Sequence, residues 1–154
     1  MTEPAYRIDG RASDRAAFYA AACDPVRSVV VEACAGSGKT WMLVSRVLRA
    51  LIDGAMPQEI LAITFTRKAA GEMRSRLGEW LSRFAAPDCP APERIEALRQ
   101  RGLDAAAAQA AAPLLAELHE RVLRGGRPVE ILTFHAWFSQ LLRAAPKDLL
   151  AELQ

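Results

Sequence analysis

Apolar residues recur along this chain with two spacings, and the places where one spacing gives way to the other lay out the elements. From about Lys39 to Asp53 the apolar positions are Leu43, Val44, Val47, Leu48, Leu51 and Ile52. That spacing gathers them on one face of a helix, and Gly54 stands where a left-handed residue can end it. Three short apolar runs rich in branched side chains read instead as buried strands: SVVVEA at 28–33, EILAITF at 59–65 and VEILTF at 129–134. Each is followed by a helical pattern, at about 39–53, 67–84 and 136–144. An alanine-rich stretch at 12–23 predicts one more helix, with Ser13 or Asp14 as its cap and Asp24-Pro25 as its stop.

Strand and helix alternating in this way predict an α/β fold, a parallel sheet covered by helices. The stretch between the second and third units differs. Residues 86–92 (APDCPAP) hold no regular element for long. Residues 93–124 are rich in Ala, Leu and Arg and read as two helices broken near Gly102; the alanine-rich run at 105–112 is a helix former. Gly125-Gly126 and Pro128 then reset the chain for the third strand. About 82–127 is thus expected to be a helical insertion within a single unit, 1–154.

Composition narrows the class. The chain is 51% hydrophobic and 25% charged, as a folded soluble protein is, and its net charge of +2 is too small to imply a polyanionic partner by itself. No apolar run approaches the roughly 20 residues that span a bilayer, and the N-terminus lacks the order of a secretion signal. The expectation is a cytoplasmic protein with no membrane partner. Cys23, Cys34 and Cys89 have no metal-ligand spacing, so reduced thiols and no zinc site are expected, and His119 and His135 suggest no Cys–His catalytic pair.

Candidate chemistry lies where the strands end. Ala33-Cys34-Ala35-Gly36-Ser37-Gly38-Lys39-Thr40 fits G-x-x-x-x-G-K-[ST] except at its first position. Small residues let successive backbone N–H groups converge on phosphate oxygens, and Gly36 and Gly38 tolerate the unusual backbone angles. The following helix points its positive end at the same anion. Lys39 can reach the β- and γ-phosphates of a nucleotide such as ATP, and the Thr40 hydroxyl can ligate Mg²⁺. Cys34 is read as one more small loop residue.

Two further strand ends share a grammar. In TFTRKAAGEM, Thr64 ends the second strand and Thr66 can cap the next helix. Arg67 and Lys68 beside them suit a phosphodiester. Phe65 either stacks on an unpaired base or packs in the core with the two cations on a solvated face. In LTFHAWF, Thr133, Phe134 and His135 repeat the pattern, with Trp137, Phe138 and Leu141 expected to pack inward. Ligands of open α/β sheets bind at such carboxyl ends.

Taken together, ACAGSGKT, LAITFTRKAAGEM and LTFHAWFSQLL resemble in order and spacing the first motifs of UvrD/Rep-type superfamily 1 DNA helicases. The long helical insertion makes the chain most similar to the AddA or RecB-type helicase–nuclease subunits. The resemblance runs from about residue 13 to 150. It implies a RecA-like P-loop NTPase fold, here its incomplete N-terminal part. It implies that Lys39 and Thr40 serve ATP·Mg²⁺ in catalysis, within a cofactor-binding loop of residues 33–40. It implies that Thr64, Phe65, Thr66, Arg67, Thr133, Phe134 and His135 lie along a DNA path. It further implies 3′-to-5′ translocation, a role in double-strand-break repair and an AddB-like partner protein.

Two departures qualify these expectations. Many relatives place a glutamine ahead of the loop to read adenine; SDRAAFYAAAC, at 13–23, has none, which leaves base selectivity to another group. No Asp-Glu pair follows an apolar strand, and a second RecA-like domain and a nuclease domain are absent from the 154 residues. The chain is therefore expected to be a truncated product that binds ATP and hydrolyses it near background. A nucleotide-dependent single-stranded DNA binding module without motor activity fits the same residues. A small-molecule kinase leaves TFTRKAA and TFHAW unexplained.

Overall fold

The structure is a computed structural model that describes residues 5–34 and 36–145. It opens with a hairpin, β1 (Tyr6–Ile8) against antiparallel β2 (Arg11–Ser13). Asp9 and Gly10 form its two-residue turn, both at positive φ, 49° and 76°, as tight hairpins require. Helix α1 (Arg15–Ala22) follows, and Asp14 caps it by accepting a 2.7 Å hydrogen bond from the Ala17 amide. Helix α2 (Lys39–Ile52) buries Val44, Val47, Leu48 and Leu51, the face anticipated from spacing. It ends as its glycine predicts. Gly54 takes φ 104°, its amide donates to the Leu51 carbonyl, and the Ala55 amide donates to the Ala50 carbonyl at 3.0 Å.

Strand β3 (Leu61–Thr64), helix α3 (Arg67–Ala85), helices α4 (Ala91–Gln100) and α5 (Ala105–Arg124), strand β4 (Glu130–Thr133) and helix α6 (Phe134–Ala144) complete the order. β3 and β4 pair in parallel, with Leu61 beside Glu130 and Thr64 beside Thr133. The α/β class and this parallel pair match the strand–helix alternation.

The strand predicted at 28–33 does not form. β3 and β4 pair only with each other among the described residues, so the valine run has no neighbour to complete its ladder. Val30 is 93% exposed. Branched side chains favour a strand only where another strand and a packed layer receive them. The uncovered layer also explains α6, which buries none of its residues; Phe138 and Leu141, expected in the core, are about half exposed.

The stretch anticipated as an insertion is part of the core. Ala108, Leu115 and Leu118 of α5 and Leu98 of α4 pack in one cluster with Leu48 and Leu51 of α2, Met73, Leu77 and Leu81 of α3, and Ile131 of β4. A second, smaller cluster joins Ala22, Cys23 and Met42 beneath Phe18, Tyr19 and Trp41. Arg101, at the end of α4, ties the two regions together. Its side chain is buried, with the guanidinium carbon 4.0 Å from the ring centre of Trp80 and 5.0 Å from that of Trp41. It donates to the Ala97 carbonyl at 2.6 Å. Cation–π attraction offsets part of the cost of burying that charge.

Candidate nucleotide and nucleic-acid site

The loop at 33–40 has the backbone a phosphate cradle needs. Gly36 and Gly38 lie at φ 78° and 88°, a region side chains with a Cβ strain to enter. Gly38 is the cap residue of α2, and no side chain caps that helix. The first amides of α2 therefore keep their donors for another acceptor, at the positive end of the helix. Ala35 lies outside the described residues.

The side chains close the loop on itself. The Lys39 ammonium donates to the carbonyls of Ala33 at 2.5 Å and Cys34 at 2.6 Å. The Ser37 hydroxyl donates to the same Cys34 carbonyl at 2.6 Å, and the Ser37 amide donates to it at 3.3 Å. Thr40, half-buried, is the second residue of α2, one position past Lys39. Hydroxyl and ammonium thus both sit in the first turn, the donor set that suits a triphosphate with Mg²⁺.

Sequence reasoning missed the opposite wall. A cavity of about 750 Å³ lies between Ser37, Gly38 and Lys39 on one side and Tyr6, Phe18 and Tyr19 on the other. The hairpin brings Tyr6 to α1, with its ring 5.0 Å from Phe18 and 6.1 Å from Tyr19. The Asp9-Gly10 dipeptide was the signal that could have revealed this turn.

The two strand tips meet as their shared grammar suggests. The parallel register sets Thr64 directly beside Thr133. The Thr66 hydroxyl caps α3, accepting from the Ala69 amide at 3.1 Å, and the Thr133 hydroxyl caps α6, accepting from the Ala136 amide at 3.2 Å. Phe65, left open between base stacking and the core, is 91% exposed and so is not a core residue. Arg67 and Lys68 are exposed, Lys68 within 4.0 Å of Glu72. Phe134 is 48% exposed, its ring stacked on Phe138 within α6, and His135 is exposed beside it. Hydroxyls, helix-terminal amides, cations and accessible rings thus share one sheet end. No helix among the described residues is long and apolar enough to cross a membrane.

Comparison with known proteins agrees with this layout. The family model for the UvrD/REP helicase N-terminal domain matches residues 15–152. Relatives named as the AddA component of an ATP-dependent helicase/nuclease are similar over part of the chain. The protein of Lactobacillus acidophilus is 45% identical over 63 residues, covering 41% of this chain and 5% of the relative. That of Clostridium perfringens is 40% identical over 72 residues, covering 45% and 6%. That of Streptococcus sanguinis is 37% identical over 78 residues, covering 51% and 6%. The chain thus spans about one-twentieth of the length of the relatives it matches. No solved structure matches it.

Proposed function

Since the chain belongs to the UvrD/REP helicase N-terminal domain family, we propose that it supplies the ATP-binding and strand-gripping part of an ATP-dependent DNA helicase of the AddA helicase/nuclease type. The observation that carries this reading is the loop itself: two left-handed glycines, an uncapped helix start, and a lysine already turned onto the loop carbonyls. In this reading the β- and γ-phosphates displace the Ala33 and Cys34 carbonyls as partners of Lys39. The amides of residues 36–40 take the remaining phosphate oxygens, and Thr40 holds Mg²⁺. The metal bridges β- and γ-phosphate oxygens and neutralises their charge when bound.

The paired strand tips are the proposed track for DNA. Thr64, Thr66 and Thr133, with Arg67, contact phosphodiesters, while Phe65, Phe134 and His135 offer faces to unstacked bases. Unwinding in the 3′-to-5′ direction, double-strand-break repair and an AddB-like partner protein complete the proposed role. Within residues 1–154 no Asp-Glu pair ends a strand to polarise an attacking water, so this chain alone binds ATP and turns it over near background. Titrating it with a fluorescent ATP analogue and Mg²⁺, then with labelled oligothymidine, tests the proposal. Saturable binding of both ligands supports it; silence toward both on folded protein overturns it.

A further inference from the structure

We infer that Arg46 is a positioning residue for the phosphate loop: its guanidinium clasps the main chain that feeds the loop, and nucleotide affinity depends on that clasp. The inference rests on the nucleotide reading of residues 33–40 but concerns a residue outside that loop. Arg46 lies on α2, seven residues after Lys39 and therefore about two turns along the same side of the helix. One guanidinium nitrogen donates to the carbonyls of Ala22 at 3.2 Å and Asp24 at 2.5 Å. The other donates to the carbonyl of Arg27 and, at 3.5 Å, to that of Pro25. Ala22 is the last residue of α1, so part of what Arg46 satisfies is a helix end whose carbonyls have no partner within the helix.

The segment so held is shaped to be held. The Asp24 carboxylate accepts from the Val26 amide at 3.0 Å, and the Arg27 amide donates to the Asp24 carbonyl at 3.3 Å. This turn is what presents the Asp24, Pro25 and Arg27 carbonyls together. Immediately after it come residues 28–33, which no strand anchors. With no ladder to fix the approach to the loop, α2 does so at three points. Arg46 grips the main chain upstream, Lys39 grips the Ala33 and Cys34 carbonyls, and Gly38 continues directly into the helix. The same helix that offers its positive end to the phosphates thereby sets where the loop amides stand. A planar fork with donors on both nitrogens can hold carbonyls spread over this turn, whereas an ammonium donates from a single point.

Arg46→Ala and Arg46→Lys in the 154-residue chain test this, read by hydrogen exchange without ligand and by affinity for fluorescent ATP·Mg²⁺ and for oligothymidine. Preorganisation sets the scale: Arg46→Ala weakens ATP binding about tenfold while oligothymidine affinity stays within about twofold. Exchange at residues 28–38 accelerates, millimolar guanidinium ion restores part of the ATP affinity, and Arg46→Lys recovers less than half of the loss. Wild-type ATP affinity in Arg46→Ala overturns the inference. So does a parallel loss of both ligands that guanidinium fails to rescue, the signature of general unfolding. If the unsubstituted chain binds no ATP, the nucleotide reading falls. The clasp is then judged by exchange alone, and unchanged exchange at 28–38 in both variants removes it.

Discussion

The Lys39 ammonium sits 2.5 Å from the carbonyl oxygen of Ala33, across the loop that its own helix begins. The cation is exposed, so its removal leaves carbonyls that water can satisfy and does not open the core. Lys39→Ala is therefore expected to leave the urea midpoint nearly unchanged. Charge-assisted bonds to phosphate contribute about 1.5–3 kcal/mol, so ATP affinity should fall by one to two orders of magnitude. Titration with fluorescent ATP beside a urea melt separates the two effects. Unaltered ATP affinity contradicts the assignment of Lys39.

Gly102 gives a stability test far from the loop. Its φ is 86°, and a Cβ built there would stand 2.4 Å from the Cα and the amide nitrogen of Ala20. Gly54 has φ 104° but open space around it. Gly54→Ala carries the left-handed strain alone, about 1–2 kcal/mol. Gly102→Ala adds a clash with main chain that cannot rotate away, for a total of about 3–5 kcal/mol. Paired denaturant melts check the ranking; equal losses show that α4 and α1 do not meet at this corner.

The helix ends were legible because their information is local. Thr66 and Ala69, or Gly54 and Ala50, lie within a few positions of each other, and the side chain or the glycine decides the geometry alone. The strand tips were legible for the same reason, since each ends in a threonine that caps the next helix or stands two positions before the one that does. The valine run at 28–33 misled because a strand is made by its neighbour, which no property of Val29, Val30 or Val31 supplies. Arg101 was hidden differently. It stands in a stretch rich in arginine that reads as solvated, while its ring partners Trp41 and Trp80 lie 60 and 21 positions away by numbering. Only the packing of α4 against its neighbours makes it a core residue.

That buried corner has a pH signature. Burial pushes the Cys23 thiol up from 9.0 to about 11, against the pull of Arg49, Arg101 and Arg46. Burial also holds the Arg101 guanidinium down, from 12.5 to about 10, with Cys23 opposing. Between pH 9 and 11 the unfolded chain loses the thiol proton that the folded chain keeps. Stability therefore falls as pH rises, by up to about 1.4 kcal/mol per pH unit for this group. From pH 10 to 12.5 Arg101 acts the other way, because the unfolded chain is then the better proton binder at that group. Cys23→Ala should flatten the loss between pH 9 and 10 in urea melts run across that range. A slope unchanged from the parent chain contradicts burial of the thiol as its source.

Phe65 allows the DNA reading to be tested without disturbing the fold. At 91% exposure its ring contributes little packing, so Phe65→Ala should shift the urea midpoint by less than about 0.5 kcal/mol equivalent. Its position between Thr64 and the Thr66 cap holds it at the tip of β3, beside the tip of β4. Stacking on an unpaired base is worth about 1–3 kcal/mol, so oligothymidine affinity should drop roughly 5- to 150-fold at fixed salt. Arg67→Ala should act differently. Losing a phosphate contact lowers the steepness of the salt dependence by about one counterion, while the loss of Phe65 leaves that slope unchanged. Fluorescence anisotropy across a salt series distinguishes the two. If Phe65→Ala binds oligothymidine as the parent chain does, the exposed ring serves some other contact and the proposed track must lie elsewhere on the sheet end.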